Sequence, residues 1–349
     1  SPATAVAISG TTTIAANQAP SFTVFNDDGP KDPGVDITFS TTASDSDGHD
    51  IKLVVCKTQG VTGPECDGGS GDTWCTSSSV TSNPSCVYSI PTPTPSDLPY
   101  DVYPYVFDEL GLGSSSGLQG ALDTYTVNNI APVVSAVTIN GGSAIDLTAG
   151  STKAVIITGT VTDNNGCPSI AEIFASVYRS GIGDFTDCTG WIQADNNYCY
   201  PQIACTINTG TCTGDTDASA DYTCTRDLQY YADPTDSNTI YSDEYWMGGL
   251  SAMDAEDLFS YTEVSTGVEL NSLTAFNVTN TVNFGTLDIN QKNDPLDRTT
   301  TITPTGNVGL DNEVSGPANM CTDFPTCSES TIAIANQKYA LSASTAYSS

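Results

Sequence analysis

Ile37-Thr38-Phe39-Ser40-Thr41-Thr42-Ala43-Ser44-Asp45-Ser46-Asp47-Gly48 decides how this chain folds, because the chain writes it twice. The second copy is Val155-Ile156-Ile157-Thr158-Gly159-Thr160-Val161-Thr162-Asp163-Asn164-Asn165-Gly166. Each run is rich in β-branched residues and ends in a short Asp/Asn turn closed by glycine. That is the pattern of a strand entering a turn.

The flanks repeat as well. Asn17-Gln18-Ala19-Pro20 precedes the first run and Asn129-Ile130-Ala131-Pro132 the second. An aromatic strand and an acidic turn follow each: Tyr103-Pro104-Tyr105-Val106-Phe107-Asp108, then Tyr245-Trp246-Met247-Gly248-Gly249-Leu250-Ser251-Ala252-Met253-Asp254. A final strand is expected at Thr124–Val127 in one copy and Gly267–Leu270 in the other. Repeats of roughly 110 to 140 residues with short strands predict tandem β-sandwiches. Ile51, Leu53 and Val55 alternate with Lys52 and Val54, as a half-buried strand requires. Ile170, Ile173, Phe174, Val177 and Tyr178 fit a helical face, but their place after the second acidic turn predicts a strand with Ile173, Ala175 and Val177 on one side.

The division expected is an N-terminal extension (1–16), a first unit (17–128), a second (129–274) and a third β module (275–349). Strands are expected there at Phe276–Thr279, Val282–Leu287, Thr299–Ile302, Thr331–Ile334 and Tyr339–Leu341. About 75 residues are few for a complete sandwich. The module is expected to continue past Ser349 or to be finished by a strand from another chain.

Twelve cysteines fall into clusters of four, six and two. Even clusters predict disulfides closing within separate units, and disulfides persist in oxidising compartments, which places the protein outside the cell. No C-x-x-C occurs and there is one histidine, so a zinc reading of the cysteines is poor. Nested pairs Cys56–Cys86 and Cys66–Cys75 are expected, because the outer two lie on candidate neighbouring strands. Cys321 should pair with Cys327. Cys167, Cys188, Cys199, Cys205, Cys212 and Cys224 allow 15 connectivities, and sequence does not select one.

Forty-one acidic residues against nine basic ones give a net charge of −32 in 349 residues. Such a field repels nucleic acid and anionic lipid. No apolar run is long enough to span a membrane. Ser1-Pro2-Ala3-Thr4 lacks a basic start and an apolar stretch, so Ser1 is read as lying near a processed N-terminus.

The N-x-A-P openings, the Asp-Ser-Asp-Gly turn, Trp74-Cys75 and Cys86-Val87-Tyr88 resemble Ig-like domains of secreted bacterial surface proteins. They are similar in particular to large surface proteins of candidate-phyla (Parcubacteria-like) bacteria, where a module resembling Asn319–Cys327 follows such units. The resemblance implies display, adhesion or surface assembly, and carries no catalytic residues.

Asp45-Ser46-Asp47-Gly48-His49-Asp50 is the foremost candidate site: Asp45, Asp47 and Asp50 set hard oxygens on a Gly-bearing turn, as calcium requires. It lacks the glutamate of an EF-hand loop. Asp215, Asp217 and Asp221, flanked by Cys212 and Cys224, form a second candidate, and Asp163 with Asn165 a third. Asp and Gly are also ordinary turn residues. Gly113-Ser114-Ser115-Ser116-Gly117 matches G-x-S-x-G formally but lies in a Ser/Gly loop with His49 as its one available base. Asp243, Glu244 and Trp246 are the least poor glycosidase set, and Trp74, Trp191 and Trp246 read better as core packing than as a sugar platform.

The expectation is therefore a non-enzymatic, extracellular subunit of a filament or surface layer, partnered by copies of itself head to tail. A β-prone strand from residues 1–16, with Val6 and Ile8 filling pockets, is expected either to complete a neighbour's third module or to form the first strand of its own domain. The alternative is a calcium-stiffened adhesin that binds surface glycans or a partner protein.

Overall fold

The computed structural model describes residues 16–96, 98–188, 195–286, 298–313, 319–321, 323, 326–336 and 338–340. The expected donor strand and Trp191 lie outside the described residues, as does Leu341. Among the described residues there is no α-helix.

The first unit has seven strands: β1 (Ser21–Asp27), β2 (Asp36–Ser44), β3 (Ile51–Cys56), β4 (Thr73–Thr76), β5 (Ser85–Ser89), β6 (Tyr100–Asp108) and β7 (Asp123–Tyr125). They form two antiparallel sheets, β1-β2-β5 and β4-β3-β6-β7. Period-two alternation sends Ile37, Phe39 and Ala43 of β2 inward against Leu53, Val55, Val102 and Val106 of the facing sheet.

The second unit repeats this order. Its strands are β8 (Val133–Ile139), β9 (Thr152–Thr162), β10 (Ile170–Arg179), β11 (Cys199–Ile207), β12 (Ser219–Gln229), β13 (Trp246–Asp254) and β14 (Phe259–Glu263). They run as β14-β13-β10-β11-β12-β9-β8. β11 pairs with β10 through Cys199–Ala204 and with β12 through Cys205–Ile207. The chain of pairing therefore folds at β11 into a β8-β9-β12 layer and a β11-β10-β13-β14 layer. First-second-fifth against fourth-third-sixth-seventh is the arrangement of both units. These are tandem, disulfide-stapled Ig-like β-sandwiches.

The segment 170–179 is the strand expected, with Ile173, Ala175 and Val177 in the core and Tyr178 on the opposite face. Trp246 is fully buried and donates its indole N–H to the Asp233 carbonyl at 2.9 Å. The regular last strand of the second unit is Phe259–Glu263. The residues expected for it, 267–270, make single bridges instead, Val268 to Trp246 and Leu270 to Ile145.

All twelve cysteines are paired within their clusters. The nested pairing expected for the first cluster is wrong: the bridges are Cys56–Cys66 and Cys75–Cys86. The reason is facing. Cys56 points to the outer side of its sheet with Val54, Tyr105 and Phe107, whereas Cys86 points into the core. Cys75 on β4 meets Cys86 on β5 across the two sheets. At the matching place in the second unit Cys205 on β11 bonds Cys224 on β12, its direct partner in the ladder, and Cys188–Cys199 matches Cys56–Cys66 in tying down the loop after the third strand. Cys167–Cys212 is added in the second unit, and Cys321–Cys327 pair as expected.

Beyond the sandwiches, β15 (Phe276–Val278) pairs with β16 (Ile302–Pro304), and β17 (Met320–Cys321) with β18 (Thr331–Ile332). Residues 282–286 are not the strand expected. The Asn283 side chain accepts the Gly285 N–H at 2.8 Å, a local turn that competes with pairing. Thr305 and Asn307 dock on the second unit: Gly150 donates to the Thr305 carbonyl, and the Asn307 amide reaches the carbonyls of Ala232 and Asn271.

Replacing Cys75 and Cys86 together by alanine should lower unfolding free energy by about 2–4 kcal/mol, read from urea unfolding. A loss well below 1 kcal/mol would show that this cross-sheet staple is dispensable.

Candidate functional site

The three repeated motifs meet at one end of each sandwich. In the first unit the Asp45 carboxylate accepts the Asp47 N–H at 2.8 Å, and the Gly48 N–H reaches the Asp45 carbonyl. Gly48 has φ of +80°, which explains glycine at the close of the turn. Asp47 in turn accepts the Gln18 N–H at 2.6 Å. The Asn17 amide donates to Asp108 at 2.6 Å, and the other Asp108 oxygen accepts from Leu110 and Leu112 at 2.9 and 2.7 Å.

The second unit reproduces this bond for bond. Asp163 accepts the Asn165 N–H at 2.7 Å, Asn165 accepts the Ile130 N–H at 2.8 Å, and Asn129 donates to Asp254 at 2.8 Å. Asp254 accepts from Glu256 and Leu258 at 3.0 and 2.9 Å. The asparagine of each N-x-A-P opening is thus the partner of the aspartate that ends the sixth strand, and the acidic turn after the second strand holds the next residue.

Three differences separate the copies. Position 47 is aspartate where 165 is asparagine. Asp163 takes a second bond from Ser169, while Oδ2 of Asp45 has no partner. Ser96 of the first unit donates to Oδ1 of Asn129, while Oδ1 of Asn17 has no partner. The Asn165 amide is spent on first-unit carbonyls, those of Thr94 at 3.1 Å and Asn128 at 3.0 Å.

Of the metal candidates read from sequence, Asp45 and Asp47 come together, and the third member of the group is His49, whose Nδ1 lies 3.9 Å from Asp45. Asp50 immediately precedes β3, outside the group. Asp215, Asp217 and Asp221 are not brought together. Asp217 closes its own loop by accepting from the backbone and hydroxyl of Thr213, and those bonds hold its pKa below the usual carboxylate value. Asp221 is a β12 residue bonded to Thr160.

Glu244 and Trp246 are occupied structurally. Arg179, nearly buried, bridges Asp233 and Glu244 and lies 3.7 Å over the Tyr241 ring. Burial raises the Asp233 pKa against the lowering effect of Arg179. Gly113–Gly117 lies in the connection from β6 to β7, where Ser114 bonds backbone at Val106. Asn17, Asn129 and Asp108 carried a signal in the repeat itself, since each stands in a motif that the chain writes twice in the same order.

No family model matches the chain, and no curated relative does. Among solved structures, a chimeric titin Z1Z2 functionalized with a KLER exogenous peptide from decorin aligns over 74% of this chain and 98% of its own, at 13% identity and a TM-score of 0.21. The Ig-like assignment rests on strand order and register.

Asp163 is fully buried, and its pKa is raised, first by loss of hydration and then by the nearby Asp254 carboxylate, against the bonds from Asn165 and Ser169. A carboxyl with a raised folded pKa costs stability once ionised. That cost is absent below the unfolded pKa and enters as pH climbs through the folded value. Asp163→Asn keeps the bond from the Asn165 N–H and removes the charge. Its melting temperature should exceed wild type at pH 7, and the gain should vanish near pH 3. A lower melting temperature at pH 7 would show that the ionised carboxylate is needed.

Proposed function

We propose that the chain is an extracellular structural subunit of a cell-surface assembly, a filament or a surface layer built from copies of itself. The observation that carries this reading is the junction between the two sandwiches. Thr94 donates to the Asn164 carbonyl at 2.9 Å, and the Asn165 side chain, 3% exposed, bonds Thr94, Asn128 and Ile130 at once. A tandem joined through a buried amide transmits orientation from one unit to the next. A Gly/Ser tether, as suits independent binding modules, would not.

The other support is chemical. Six disulfides suit an oxidising exterior, and no helix among the described residues is long and apolar enough to cross a membrane. A net charge of −32 spaces crowded copies on a surface and keeps them soluble before they assemble. The resemblance of the openings and turns to bacterial surface proteins points the same way.

Electron microscopy of the purified protein tests the reading. An ordered polymer or lattice is expected. Single particles that stay monomeric at the highest attainable concentration, together with retention on a glycan array, would replace assembly by adhesion.

A further inference from the structure

We propose that the end of the first sandwich at its opening segment is a calcium site formed by Asn17, Asp45 and Asp47, with Asp108 bonded behind Asn17. The inference stands apart from the assembly reading and comes from comparing the two copies within one molecule.

Five buried side-chain polar atoms among the described residues lack a hydrogen-bond partner, and three of them sit at this end: Oδ1 of Asn17, Oδ2 of Asp45 and Nδ1 of His49. The Asp45 side chain is 0% exposed. An unpartnered carboxylate oxygen withdrawn from water is costly. A ligand atom from each of Asp45, Asp47 and His49 falls within 4.8 Å of the others. The Gln18-to-Asp47 and Asn17-to-Asp108 bonds tie the opening segment to the same place. Oδ1 of Asn17 and Oδ2 of Asp45 can only accept, so a hydrogen-bond donor or a cation must satisfy them, while Nδ1 of His49, 3.9 Å from Asp45, accepts or donates according to its tautomer.

The second unit shows how the same frame is satisfied without a cation. There the position of Asp47 is held by Asn165, whose N–H groups reach two carbonyls, and Ser96 and Ser169 supply hydroxyls to the other acceptors. A carboxylate at position 47 has no N–H to donate. It repels carbonyl and carboxylate oxygens unless a cation stands between them. Carboxylate and amide oxygens favour a hard ion such as calcium, whereas the imidazole of His49 is a ligand for softer ions and borders the site without being required.

The test is isothermal titration of CaCl2, and separately ZnCl2, into the EDTA-treated full chain, with melting curves alongside. One calcium equivalent is expected, in the range of about 0.1–1 mM typical of extracellular modules. Asp47→Asn installs the residue found at the matching position and keeps an acceptor for the Gln18 N–H. It should fold, melt in EDTA no lower than wild type, and lose both the calcium heat and the calcium-induced rise in melting temperature. Asp45→Asn should also lose them, while His49→Asn and Asp163→Asn should keep them. The proposal is overturned by an absence of calcium heat, by calcium binding that survives both Asp45→Asn and Asp47→Asn, or by zinc binding that His49→Asn abolishes while calcium is silent.

Discussion

A buried aspartate at the end of the sixth strand holds each sandwich in register. Asp108 and Asp254 are 4% and 1% exposed, and each spends one oxygen on two backbone N–H groups of the following turn and the other on the opening asparagine. A carboxylate suits this place because it only accepts, and charge-assisted bonds offset the loss of hydration. It binds two segments far apart in sequence, the start of the unit and its last hairpin. Without it, the opening segment would lose its anchor on the sheet that carries β6 or β13.

From that anchor the differences between the copies gain meaning. In the second unit the neighbouring turn presents an amide, and the amide grips the first unit. In the first unit the same turn presents a carboxylate, and Oδ1 of Asn17 and Oδ2 of Asp45 are left as acceptors without a partner. The exchange of aspartate for asparagine, with the hydroxyls of Ser96 and Ser169, separates the end that joins two units of one chain from the end for which a calcium site is proposed. The cystines between the fourth and fifth strands are the second repeated device. One fastens β4 to β5, which lie in different sheets, and the other fastens β11 to β12, where β11 changes layers.

Much of this was legible in sequence because local chemistry declares itself. Strand alternation, the acidic turns, the N-x-A-P openings and even cysteine clusters mark the two units, and the ambiguous stretch at 170–179 followed its place in the repeat. What failed depended on facing. Adjacency along a strand order could not show that Cys56 and Cys86 point to opposite sides of a sheet, so the nested pairing was wrong. The D-x-D-G-x-D spacing suggested Asp50, but the turn closes at Gly48 and the strand begins at Ile51. Asp215, Asp217 and Asp221 look close in sequence, yet one closes a loop and another lies in a strand. The partnership of Asn17 with Asp108, 91 residues apart, was present as two separate repeats and became a contact only in three dimensions.

Whether the side-chain amide at position 165 joins the sandwiches is decided by hydrogen exchange on Asn165→Asp in EDTA. The substitution keeps the acceptor for the Ile130 N–H and removes the donors to Thr94 and Asn128. Exchange of peptides covering 90–96 and 126–131 should accelerate by at least about tenfold, the effect of losing roughly 1.4 kcal/mol of local protection, while the core strand 170–179 is unchanged. Equal exchange in the variant and the wild type across both peptides would show that the Asn165 amide does not hold the two units together.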